Sequence, residues 1–108
     1  MVSSTFERIC ELVKSGEVRI SEHGYEEMSQ ENISARDVVA GVPAGIVVED
    51  YPNYAKGPCV LVLERDHDGM AFHVVWGIPK NLNSPAVVVT VYRPDPSLWS
   101  DDYLRRKA

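Results

Sequence analysis

His73, His67 and His23 are the imidazoles of this chain, and what stands beside each decides the chemistry open to it. His73 and His67 share the run Glu64-Arg65-Asp66-His67-Asp68-Gly69-Met70-Ala71-Phe72-His73. Asp68-Gly69 between two β-rich runs predicts a two-residue type I′ hairpin, because that turn needs positive φ at both central residues. Such a turn sets His67 opposite Met70, Arg65 opposite Phe72 and Glu64 opposite His73. A carboxylate beside an imidazole orients the ring and favours its charged form, as acid–base chemistry requires. An exposed cross-strand ion pair is the alternative reading of those two residues. Asp66-His67-Asp68 has the residue types of a metal cluster, but Asp68 is taken by the turn and consecutive strand residues alternate faces. His67 and His73 have opposite parity and do not share a zinc easily. No metal is expected. The sequence holds no Gly-rich phosphate loop, nucleophile elbow or dinucleotide fingerprint, so no cofactor is expected either.

The elements that must hold these residues read as helices first and strands afterwards. Ser4-Thr5-Phe6-Glu7 is a capping box with Ser4 as the cap, and Phe6, Ile9, Cys10 and Val13 follow at helical spacing up to Gly16. Glu17–Ile20 alternates and fits a short edge strand. Ser21 caps a second helix reaching Gln30, with His23 in its first turn; Ser34 caps a third, with Ile33 and Val38 as a hydrophobic staple. The period then changes to two. Ile46–Asp50, Cys59–Arg65, Met70–Ile78 and Ala86–Arg93 read as four strands, and Ser97–Arg105 as a last helical turn bearing Trp99. This order predicts an α+β fold in which N-terminal helices cover one face of an antiparallel sheet of about four strands. By parity Leu61, Leu63, Val87, Val89 and Val91 face the helices. Glu64, His73, Thr90 and Tyr92 then share the open face.

At 108 residues the chain fits a single domain, and an apolar share of 44% with a charged share of 25% is ordinary for a globular protein. The longest apolar runs are far too short to cross a bilayer, no secretory leader is visible, and Cys10 and Cys59 lack CxxC spacing. Buried, reduced thiols, a cytoplasmic setting and no membrane partner are expected. A net charge of −5 argues against wholesale electrostatic capture of nucleic acid, while leaving room for a local basic site.

His23, Ile33-Ser34-Ala35-Arg36-Asp37-Val38, Glu49-Asp50-Tyr51-Pro52, Lys56-Gly57-Pro58, Phe72-His73-Val74-Val75 and Thr90-Val91-Tyr92-Arg93-Pro94 occur in that order. This series, from about residue 23 to 99, resembles the domain-of-unknown-function family 4258 (DUF4258) of small prokaryotic proteins. That family is in turn similar to BrnT-like and RelE-like toxins, compact ribonucleases of toxin–antitoxin pairs. The resemblance implies helices packed on a curved antiparallel sheet of RelE-like type, RNA as substrate and an antitoxin as partner. Metal-independent RNA cleavage needs a base for the 2′-OH proton, an acid for the leaving oxygen and positive charge for the transition state. On this reading His73 is the general base or acid, Glu64 orients it, and His23 is the second histidine. Tyr92 donates a proton or stacks a base, Arg93 and Lys56 contact phosphate, and Thr90 completes the face. The alternatives are a surface His23, a half-buried strand Tyr92 and solvated charges at Lys56 and Arg93. Two functions follow: an endoribonuclease of RelE or BrnT type, or a non-catalytic interaction module of the same fold. The module would bind a protein through a sheet edge or the Tyr51–Tyr54 loop. The acidic balance favours the module; the grouping of Glu64, His73, Thr90 and Tyr92 favours the enzyme.

Overall fold

A computed structural model describes residues 2–108. In chain order the elements are α1 (Ser4–Lys14), β1 (Val18–Ile20), α2 (Glu22–Glu31), α3 (Ala35–Ala40), a 3-10 turn (Val42–Ala44), β2 (Ile46–Tyr51), β3 (Cys59–Arg65), β4 (Ala71–Gly77) and β5 (Ala86–Tyr92). Each helix begins where a serine hydroxyl accepts an otherwise orphaned backbone N–H. Ser3 accepts from Phe6 at 3.1 Å, Ser21 from Gly24 at 2.9 Å and Ser34 from Asp37 at 3.0 Å. The first cap is therefore Ser3, one residue before the expected Ser4, and Glu7 falls one position too late to close the box. Among the described residues no helix is long and apolar enough to cross a membrane.

The α+β class holds, but the sheet has five strands and is mixed. Its order is β1-β5-β4-β3-β2, with β1 parallel to β5 and the other pairs antiparallel. Local alternation suggests an edge strand at β1 but carries no record of its distant parallel partner. Ile9 and Leu12 of α1, with Met28, Ile33 and Val38, pack on Val60, Val62, Phe72, Val74, Trp76 and Val88. Ile9 and Leu12 are fully buried, each worth about 1.5–3 kcal/mol relative to exposure.

The β3–β4 hairpin departs from the sequence prediction by one residue, and the departure changes every face. Asp66 N–H donates to the Met70 carbonyl and Gly69 N–H to the Asp66 carbonyl, both at 2.9 Å. The loop is thus the three residues His67, Asp68 and Gly69, of which only Gly69 has positive φ, at +78°. The Asp66 carboxylate favours it by accepting from the Asp68 and Met70 N–H groups, both at 2.9 Å. Leu63 therefore pairs with His73, and Glu64 with Phe72. A slip of one residue exchanges the faces. Val60, Val62 and Glu64 look toward the helices, while Leu61 and Leu63 join His73 on the far side. On β5 a bulge adds one residue, so Val88 and Val91 enter the helix-side core and Val87 and Val89 lie on the far face.

That far face is only partly open. Residues 94–108 fold back across it; a single turn closes at Trp99, where the Asp95 carbonyl accepts from the Leu98 and Trp99 N–H groups, but no helix runs over Ser97–Arg105. Trp99, Tyr103 and Leu104 cover Val48, Leu61, Leu63 and Tyr92. Trp99 bridges to Arg106, Ser100 N–H donates to the Arg105 carbonyl and Lys107 N–H to the Leu98 carbonyl, both at 2.8 Å.

Candidate functional site

His73 lies under this C-terminal segment and is 0% exposed. Its Nε2–H donates to the Tyr103 carbonyl at 2.9 Å, since a carbonyl can only accept. Nδ1 is then the acceptor, and the Tyr92 hydroxyl donates to it at 3.0 Å. Tyr103 holds a left-handed φ of 62°, uncommon for a side-chain-bearing residue, with its N–H donating to the Ser100 carbonyl at 2.8 Å. The Trp99 ring stands edge-on to the imidazole at 4.5 Å. Burial lowers the His73 pKa below its ordinary value, so the ring is neutral at pH 7. The expected partners His73 and Tyr92 do meet. They meet as a pair, His73 sealed and Tyr92 half-buried, that ties β4 and β5 to the C-terminal segment.

The expected pairing of Glu64 with His73 is overturned by the register. Glu64 is 2% exposed on the helix side, where Oε2 accepts from Trp76 Nε1–H at 3.0 Å and Oε1 has no partner. Burial pushes its pKa up to about 8, making it a neutral acid at pH 7. A glycine at 41 leaves room for it, because a Cβ there would collide with Glu64 Oε1.

The other expected residues lie apart from His73. Thr90 turns to the sheet margin, where its hydroxyl donates to Glu27 Oε1; the Val91 N–H donates to the same oxygen at 3.1 Å. His23 is exposed, with Nε2 3.2 Å from that oxygen. Arg93 clamps the hairpin, donating to Asp66 Oδ2 at 2.9 Å and to the Ala71 carbonyl at 3.2 Å. A second exposed imidazole with a close carboxylate is His67, whose Nδ1 lies 2.8 Å from Asp37 Oδ2, at the groove between α3 and the hairpin. The hydrogen bond to Asp37 raises the His67 pKa, and the same bond lowers that of Asp37. Their 30-residue separation hides this pair from local reading.

Beside the covered half, the same sheet face forms an open groove of about 580 Å³. Val75, Gly77, Val87 and Val89 make its floor; Tyr51, Tyr54 and Lys56 wall one side and Arg19 the other. The β2–β3 loop is built to present that wall. Tyr54 N–H reaches the Tyr51 carbonyl at 3.4 Å and Gly57 N–H the Tyr54 carbonyl at 3.0 Å. Gly57 sits at φ +120°, where a side chain would strike the backbone of Ile78 and Lys80, so only glycine lets the loop close against the β4–β5 connection. Tyr51 and Tyr54 are 43% and 55% exposed. Among the described residues the charged groups lining the groove are Arg19 and Lys56, with no carboxylate or imidazole. The groove can therefore stack planar groups and attract anions, but supplies no histidine for proton transfer. Of the expected site residues Lys56 alone enters it. The Tyr51–Tyr54 loop stood out in the sequence as an interaction surface, whereas Arg19 carried no signal before its strand was paired.

The family model described as "Domain of unknown function (DUF4258)" matches residues 20–93, more than half of the 108-residue chain. No curated protein and no solved structure matches the chain.

Proposed function

The chain belongs to the DUF4258 family, and from that premise we propose that it binds single-stranded RNA on the open half of its sheet face. One observation carries this reading: two tyrosines and two cations surround an apolar floor, with no carboxylate among the lining residues, on a chain of net charge −5. Bases stack on aromatic rings whatever their sequence, while phosphates take the cationic rim. Two cations at the rim of a groove on an acidic protein favour an anionic ligand.

Cleavage of the RelE or BrnT kind is the stronger form of the same reading. Its acid–base groups would come from Tyr51, Tyr54 and Lys56, because His73 is sealed and Glu64 lies across the sheet. Protein binding by strand addition is a second reading, favoured by β2, which ends the sheet and leaves Ile46 50% exposed.

The test is fluorescence anisotropy with a labelled single-stranded RNA of about ten nucleotides, within the usual range for such surfaces. Binding should weaken with salt, by a logarithmic slope of about 0.7 per phosphate contact. Lys56→Ala should reduce that slope, and Tyr54→Ala should weaken binding at every salt concentration. Failure to bind at low salt, or binding indifferent to both substitutions, contradicts the reading. EDTA-resistant cleavage lost in Lys56→Ala would extend it to a ribonuclease.

A further inference from the structure

Tyr51, one wall of the groove, is tied to the C-terminal segment through a chain of contacts. Its hydroxyl donates to Glu49 Oε1 at 2.6 Å. Arg106 grips the same carboxylate with two donors along one edge of its guanidinium, Nε to Oε2 at 2.8 Å and Nη2 to Oε1 at 3.0 Å. The guanidinium also lies 4.7 Å from the centre of the Trp99 ring, and Trp99 is the 4% exposed anchor of the segment on the sheet. Anchor, cation, carboxylate and groove wall thus form one connected set.

We propose that Arg106 is a positioning residue for Tyr51, so that docking of residues 94–108 on the covered half sets the ligand affinity of the open half. The planar, two-pronged grip fixes the Glu49 carboxylate in orientation as well as place, which a single point charge would not do. Glu49 in turn fixes the tyrosine ring through its hydroxyl, so less ordering is left for a ligand to impose. Coupling of this sort is reciprocal: a ligand held by Tyr51 tightens the C-terminal segment, and anything that lifts the segment weakens the ligand. The effect on affinity rests on the RNA-binding reading; the link between Arg106 and Tyr51 does not.

The experiment uses the full chain in four forms: unaltered, Arg106→Gln, Tyr51→Phe and the double variant. Affinity for the labelled single-stranded RNA is measured in each, and the Trp99 indole N–H signal in NMR reports whether the segment stays docked. Each single change should weaken binding about fivefold, the low end of typical coupling between sites. The double variant should be no weaker than Tyr51→Phe, because both changes cut one chain. Arg106→Lys should fall between Arg106→Gln and the unaltered protein. Effects that multiply in the double variant overturn the proposal. Should the unaltered protein bind no RNA, the RNA-binding reading fails and the tyrosine ring signals in NMR decide the link. A shift of the Tyr51 signals in Arg106→Gln upholds the positioning role, and unmoved signals refute it.

Discussion

The two halves of one sheet face are made from the same strands, yet they have opposite characters. In the covered half His73, Tyr92 and Trp99 bring together the residue types of a catalytic centre, but each ring nitrogen of His73 is satisfied and no part of it is exposed. In the open half the floor is mostly valine, and the wall is a loop that local reading assigns to a turn. The covered half buries a neutral histidine; the open half is exposed and carries two cations on its rim. Residue type alone does not make a site. Fifteen residues at the C-terminus decide which half of the face is covered and which half stays exposed.

This contrast breaks most readily at Trp99. Trp99→Ala should cost about 3–5 kcal/mol of stability, as an anchor removed from a packed cluster, measured by urea denaturation. A comparable loss from Val89→Ala, on the 41% exposed floor of the groove, would erase the distinction between the halves.

A pH experiment probes the buried acid beneath the sheet. Glu64 rises from an ordinary pKa of 4.5 to about 8 on folding, so the native state holds that proton more tightly than the unfolded chain. Its contribution is fully present below pH 4.5 and fades as the pH climbs through 8. Glu64→Gln should remove that slope, making the variant more stable than the unaltered protein at pH 9 by an amount on the order of a few kcal/mol. Thermal melts from pH 5 to 9 measure it, and parallel curves would show that Glu64 is not the titrating group. His73 acts in the opposite sense: its lowered pKa removes stability as the pH falls through its ordinary value of 6.5.

The smallest expected change in stability sharpens the comparison most. Tyr54→Ala should alter stability by no more than about 0.5 kcal/mol, as an exposed residue, while weakening RNA binding by about 1–3 kcal/mol. Paired denaturation and anisotropy measurements separate the two effects. A stability loss with unchanged affinity would assign the loop to packing.

Much of the scaffold was legible because its signals are local. Ser21 and Ser34 cap the helices they were expected to cap, and β2 to β5 lie where alternation placed them, within a residue or so. The site was less legible because its determinants are not local. Asp66-His67-Asp68-Gly69 satisfies two hairpin loops, and what distinguishes them is the Asp66 carboxylate accepting two N–H groups. That choice separates Glu64 from His73. The bulge in β5 falls within the apolar run Ala86–Val89, where alternation gives no register. The parallel pairing that brings Arg19 to the groove, and the return of Trp99 across the sheet, depend on contacts far along the chain.

The most direct measurement is an amide chemical-shift map of the full chain titrated with single-stranded RNA. The largest shifts should fall on Tyr51–Lys56, on Gly77 and on Val87–Val89, with His73 and Tyr92 little moved. Shifts centred on His73, or confined to the free edge of β2, would contradict the assignment of the open half as the working surface.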